Sequence, residues 1–178
     1  MNMLKNPFSK GKRVRIRAIQ PSDTRGLKLM HRRLSPDSLY KRYLRHTIPD
    51  TTEIRQICMM RQEEGDGFVV TSGIGDSDVV GMAFYVVEPN GNRLTAEPAL
   101  IIEDKYQGQG IGSRLFKELA EDALRQGIQR FQLVVDQGNT GMLRIVQNSG
   151  YYYEEERAYG AHEITVWLDS MGGSGSWF

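Results

Sequence analysis

The chain has 178 residues, 39% of them hydrophobic and 25% charged, with a net charge of +1 at pH 7. That is the length of one domain, able to bury about 70% of its extended surface. The near-neutral balance gives no overall signal for nucleic acid or an anionic membrane, the single cysteine, Cys58, excludes an internal disulfide, and no apolar run reaches the roughly 18 residues of a membrane span.

Neither nucleic acid nor a membrane is therefore expected as a partner. The N-terminal MNMLKNPFSKGK is basic but lacks the apolar segment of a signal peptide, so a reducing, cytoplasmic setting is the expectation.

Residues 1 to 12 read as a loose arm, residues 13 to 169 as the folded domain and 170 to 178, with Gly172-Gly173-Ser174-Gly175-Ser176, as a flexible tail. Arg13 to Ile19 alternates Val14, Ile16 and Ala18 against arginines, a half-exposed strand with a solvated arginine face. Pro21-Ser22-Asp23 opens a helix to Arg33 with Leu27, Met30, His31 and Leu34 inward. Ser35 as N-cap and Pro36 at the first helical position start a second helix, to about Arg45. The basic residues Arg32, Arg33, Lys41, Arg42 and Arg45 read as a solvated face. A third helix spans about 51 to 63 with Ile54, Ile57 and Cys58 inside, Cys58 as a small buried hydrophobe.

Strands follow at Phe68 to Ile74 and Val79 to Val87 around Gly75-Asp76-Ser77-Asp78, and at Leu94 to Ile102 after the turn Glu88 to Asn92. A helix over 112 to 126 faces Leu115, Phe116, Leu119, Ala120, Ala123 and Leu124 inward, and Gly127 stops it. Phe131 to Val135 reads as a strand covered on both faces. Asn139 to Asn148 reads as a helix, and Tyr151 to Glu155 with Glu163 to Leu168 as a closing hairpin, its tyrosines alternating between core and surface. The order predicts an α/β (mixed α+β) fold with a central mixed sheet of six to seven strands and helices on both faces.

One stretch carries chemistry. The apolar run Ala99-Leu100-Ile101-Ile102 leads through Gln107-Gly108-Gln109-Gly110-Ile111-Gly112 straight into a helix beginning near Ser113. A glycine turn at a helix start offers unpaired backbone N–H groups and the positive end of the helix dipole to an anion. No lysine follows Gly112, which excludes a P-loop, and Ser113 stands where a dinucleotide fingerprint needs its third glycine. The turn therefore either holds a pyrophosphate of another class or is a tight strand-to-helix turn whose glycines serve packing. His31, His46 and His162 lack metal-ligand spacing, so no metal is expected.

The spacing Gln-x-x-Gly-x-Gly, Gln107 to Gly112, resembles the acetyl-CoA pyrophosphate loop of the GNAT acetyltransferase superfamily. Asn139 followed by Met142 and then Gly150-Tyr151 resembles that superfamily's second motif. Arg17 to Asp23, Arg33 to Tyr43 and Ala96-Glu97-x-Ala99 resemble the Pat-type bacterial protein acetyltransferase domains. The resemblance spans roughly residues 13 to 155. It implies the GNAT fold, acetyl-CoA as co-substrate and transfer to an amine, foremost a protein lysine. A small-molecule amine is the alternative within the enzyme class, and a non-catalytic acyl-CoA sensor the alternative outside it. A homodimer is left open.

The same resemblance implies site residues. Gln107, Gly108, Gln109, Gly110, Ile111, Gly112 and Ser113 would hold the pyrophosphate. Leu100, Ile101 and Ile102 would pair with pantetheine where the strand splays from its neighbour, an N–H near Ile102 would meet the thioester oxygen, and Asn139 would face the pantetheine arm, although asparagine is also an ordinary N-cap. Keeping a lysine neutral at pH 7 costs about 4.6 kcal/mol, so the reaction needs a proton acceptor. Glu97 is the candidate base, and partial burial is expected there because it would strengthen a carboxylate as a base. Pro98 fits a local break in strand pairing. Where many relatives carry a tyrosine that protonates the leaving thiolate, this sequence has Val146.

Overall fold

In a computed structural model, which describes residues 14–88 and 94–171, one seven-stranded sheet carries helices on both faces. The expected N-terminal arm, most of the Glu88 to Asn92 turn and the glycine-serine tail lie outside the described residues. In chain order the elements are β1 (Val14–Ala18), α1 (Thr24–His31), α2 (Pro36–Tyr43), α3 (Thr51–Cys58), β2 (Gly65–Ser72), β3 (Asp78–Val87), β4 (Thr95–Ile102), α4 (Ile111–Arg125), β5 (Arg130–Asp136), α5 (Thr140–Gln147), β6 (Tyr151–Ala158) and β7 (Ala161–Met171).

The caps act where the residue types place them. Ser35 Oγ accepts from Ser38 N at the start of α2, and Asp50 and Glu53 form a reciprocal capping box at the start of α3. α3 stops at Cys58, five residues before the expected end, and β2 begins at Gly65, where the sequence suggests a breaker. β7 continues to Met171, past the expected domain boundary at 169.

The strand order is β1-β2-β3-β4-β5-β7-β6. All neighbours are antiparallel except β4 and β5, which run parallel and pair at Thr95–Arg130 and Ala96–Phe131. Beyond Ala96 the two strands part. On one face, α4 buries Leu115, Phe116, Leu119, Ala120 and Ala123 against Phe131, Leu133, Val166 and Leu168. On the other, α1 to α3 bury Leu27, Met30, Leu39 and Ile54 against Val69, Met82, Phe84 and Ile101. Each such side chain contributes about 1.5 to 3 kcal/mol by leaving water.

Two expectations about faces are corrected. Leu124, assigned to the inner face of α4, is 40% exposed. β5 is not covered on both faces. Its odd residues Phe131, Leu133 and Val135 are buried, but Gln132 is exposed and Val134 is 71% exposed. The helices α1 to α3 pack on the β1–β4 half of the sheet and leave this face of the β5–β7–β6 half bare.

Candidate active site

β4 organises the site through the alternation of its backbone. Glu88 N donates to Thr95 O, and Glu103 N donates to Val80 O, so the odd-numbered residues of β4 bond to β3. The even-numbered residues turn their backbone toward β5, which has already parted from the strand. The backbone of Leu100 and the N–H of Ile102 therefore face an open gap, while the Ile102 carbonyl accepts from Gln107. Pro98 occupies one of these even positions, where its missing N–H removes no ladder bond. Ile101 is the exception among the three predicted residues. It pairs with Met82 in β3 and is 5% exposed in the core under α1 to α3, so it supports the strand and does not face the gap.

The chain then turns into α4. Gly108 (φ +69°) and Gly110 (φ +76°) adopt left-handed backbone that other residues reach at a cost of about 1 to 2 kcal/mol. Arg114 N makes the first helical bond, to Gly110 O, at 3.2 Å. Before it, the amides from Gly108 to Ser113 meet no acceptor among the described residues. Gly112 serves packing instead. A Cβ there would lie 2.9 Å from Ile145 Cδ1, so its absence lets α4 approach α5 closely. The packing alternative thus holds at Gly112.

Gln107 has protein partners for its backbone N–H and its side chain. Its N–H donates to Asp104 O at 3.1 Å, and its Nε2 donates to Ile102 O (2.8 Å) and Ser38 Oγ (3.1 Å). Gln107 is a strap between the end of β4 and α2, and the side chain of Gln109 is likewise occupied, donating to Lys105 O at 3.0 Å. Asp104 extends the strap by accepting from Ser35 Oγ (2.6 Å), Ser35 N (3.0 Å) and Ser38 Oγ (2.8 Å). Burial raises the Asp104 pKa, but these hydrogen bonds together hold its carboxyl below the ordinary value. A buried carboxylate with exposed cations sits next to it: Glu103, 3% exposed, accepts from Arg33 Nε at 3.0 Å and pairs with Lys105 at 2.8 Å.

Asn139 caps α5. Its Oδ1 accepts from Met142 N at 3.2 Å, and its Nδ2 donates at 3.5 Å to Lys41 O at the end of α2. The residue thus ties α5 to α2. Val146, at the position of the usual tyrosine, is 1% exposed in the core.

Glu97 lies opposite Val86 and is exposed, not partly buried as expected, because β5 has left its side and no helix covers it. The charge closest in consequence is Arg42, on α2. Its guanidinium lies 4.7 Å from the Tyr43 ring centroid and 5.4 Å from that of Phe84, and its Nε is buried without a hydrogen-bond acceptor. Burial lowers the Arg42 pKa against the opposing influence of Tyr43 and Glu97. The expected solvated basic face holds for Arg32, Arg33 and Arg45, which are exposed, although Arg33 also pairs with Glu103 and Lys41 with Asp37 at 2.7 Å; Arg42 is the exception and packs on rings. Arg17, also expected to be solvated, makes a bidentate pair with Asp23 at 2.7 and 2.8 Å. Beneath Arg42, Tyr43 meets His31 Nε2 at 2.6 Å, while His31 Nδ1 lies 2.7 Å from Leu27 O. Burial pushes the Tyr43 hydroxyl up to about 12 and the His31 imidazole down, so both are neutral.

Glu97 also lines a cleft of about 550 Å³ on the bare face of the sheet, shared with Glu88, Glu154, Glu156 and Glu163. Sequence reasoning missed these four. The period-two alternation of Tyr151 to Ala158 is a usable signal for which glutamates share a face, but not for their meeting Glu97.

Comparison with known proteins agrees with this geometry. A model of the acetyltransferase (GNAT) family matches residues 33–151. The acetyltransferase Pat of Mycolicibacterium smegmatis is 30% identical over 122 residues, covering 68% of this chain and 36% of that protein. The chain thus spans little more than a third of that relative's length. A spermine/spermidine N(1)-acetyltransferase of Bacillus subtilis is 23% identical over 120 residues, covering 64% of this chain and 79% of the relative. Among solved structures, the GNAT domain of S. lividans PAT superposes with a TM-score of 0.76 at 21% identity, over 85% of this chain and 89% of that one. A putative acetyltransferase, yncA, of Salmonella typhimurium, solved with its cofactor acetyl-CoA, superposes with a TM-score of 0.70 at 15% identity, over 92% and 99%. These likenesses show the fold. The chain belongs to the GNAT family of acetyl-CoA-dependent N-acetyltransferases.

Proposed function

We propose that this acetyltransferase acts on the side-chain amine of a protein lysine, by direct attack within a ternary complex. Acetyl-CoA supplies the acyl group already activated as a thioester. The free amides from Gly108 to Ser113 suit its diphosphate, and the backbone of Leu100 and the N–H of Ile102 suit its pantetheine. Gln107, Asp104 and Asn139 act as positioning residues that fix α2 and α5 around the gap. Glu97 takes the proton that the amine loses, directly or through a water, as the C–N bond forms and the C–S bond breaks; the sulfur leaves as the CoA thiolate. With Val146 in the core, no side chain there serves as acid, and a thiolate of ordinary thiol pKa leaves without one.

The observation that carries this reading is the layout of one strand: β4 brings a carboxylate, a freed backbone edge and an amide turn into series. The protein-lysine acceptor rests on the Pat-type resemblance and on a cleft that runs across an open sheet face instead of ending in a closed chamber. The polyamine relative favours a second reading, a small-molecule amine. An acetyl-CoA assay over lysine peptides and small amines separates them. Turnover of peptides supports the first, turnover confined to small amines supports the second, and acetyl-CoA binding without turnover of any amine supports a sensor.

A further inference from the structure

The bare face of the β5–β7–β6 half serves the mechanism above only as an open route for the acceptor, yet its composition is one-sided. Glu97 and Glu88 border it, and Glu154, Glu156 and Glu163 extend it across β6 and β7. Among the described residues none of the five pairs with a lysine or arginine, although the chain as a whole is at +1. Arg42 lies close enough to Glu97 to interact with it electrostatically, and Arg130, beside the face, has its guanidinium 5.1 Å from the Trp167 ring centroid.

Two details give the charge a direction. Glu156 and Glu163 are direct cross-strand partners. Like charges directly opposite each other weaken a strand pair, so the fold gains nothing from this pair. Thr95 lines the same cleft, is 2% exposed, and its hydroxyl has no hydrogen-bond partner among the described residues. A buried hydroxyl without a partner costs free energy until a ligand supplies one.

We propose that this face recognises an acceptor carrying a second positive charge. β7 and β6 lie two and three strand positions from β4, at least about 10 to 15 Å from Glu97 because β4 and β5 part beyond Ala96. That matches a lysine with an arginine or lysine three or four residues away along an extended chain. The proposal rests on the acyl-transfer reading and names its acceptor more closely. A cleft lined by one sign of charge concentrates the opposite sign and speeds its capture by about tenfold or more.

The test uses peptides of equal length with one acceptor lysine and arginine, serine or glutamate at the third and fourth positions from it, together with spermidine and a monoamine. The arginine peptide should exceed the serine peptide about tenfold in kcat/KM at low salt, with the preference shrinking as salt rises. In Glu156→Gln/Glu163→Gln that ratio should fall toward one while Tm stays equal or rises, since a like-charge pair has been removed. Equal rates for all peptides in the wild type, or an undiminished preference in the double variant, would overturn the proposal. Fluorescence anisotropy of the same peptides keeps the two failures apart. Turnover without charge preference defeats the acidic surface and leaves acyl transfer standing. Charge-selective binding without turnover does the reverse. A strong preference for spermidine over the monoamine, with peptides inert, keeps the charge selection and moves it to a small polycation.

Discussion

The two ends of β4 are built from different material. At the Ile102 end the site is main chain: even-numbered backbone groups facing a gap, then amides from Gly108 to Ser113 exposed by two left-handed glycines. At the Glu97 end the site is side chain: carboxylates from β3, β4, β6 and β7, with Arg42 from α2. A backbone site tolerates changes of side chain but not of conformation. A side-chain site tolerates backbone variation but depends on which residue stands at each position. On the proposed function, the common acyl donor falls to the first kind and the variable acceptor to the second.

The contrast is broken most severely at Glu97. Glu97→Gln removes the base and leaves the backbone site intact, so kcat should fall about 100-fold or more while acetyl-CoA affinity stays within about twofold. Steady-state kinetics with calorimetry checks both halves, and an unchanged rate would remove Glu97 from the mechanism.

Gly110→Ala is the converse. Space is open around the missing Cβ, so the penalty is conformational, about 1 to 2 kcal/mol, together with obstruction of the anion. By calorimetry, acetyl-CoA affinity should weaken about tenfold, the factor that about 1.4 kcal/mol corresponds to. An acceptor preference measured at saturating acetyl-CoA should not change.

The strap between the ends comes next. Asp104→Asn weakens three hydrogen bonds that hold the start of α2 and should cost about 1 to 3 kcal/mol, read as a drop of several degrees in Tm. The pH dependence has a definite sign. The folded-state pKa of Asp104 is lowered, as is that of Asp23, where the hydrogen bonds from Arg17 and Gln20 outweigh burial. Their stabilisation is fully present above the unfolded carboxylate pKa of about 4 and is lost as pH falls through the lower folded values. Tm should therefore be flat from neutral pH to about 5 and fall below about 4, less steeply in Asp104→Asn.

The smallest effect belongs to the uncovered face. Val134→Thr, at a position 71% exposed, should change stability by no more than about 0.5 kcal/mol. A loss of about 2 kcal/mol or more in a denaturant titration would show that something covers this face in solution.

Much of the fold was legible because it is local. The caps at Ser35 and Asp50, the amphipathic runs of α1 and α4, and the glycine turn before α4 declare themselves within a few residues. The corrected expectations share another cause. The apolar Val134 makes β5 read as doubly covered, because nothing within the strand tells which helices stop short of it. The partners of Gln107 were not legible either: its bond to Ser38, 69 residues away, is invisible within six residues of sequence. The burial expected at Glu97 depends on β5 continuing beside β4, and the register ends that pairing at Ala96.

The sequence by itself determined the element order and the amide turn, since these follow from local periodicity, caps and glycine, whereas the backbone parity of β4 came from its register with β3. Tertiary structure decided which carboxylates share a face with Glu97, which cations are paired, and where β4 leaves β5. Those outcomes depend on strand register and on helix placement across the sheet, set by long-range packing and not by any residue's own neighbours.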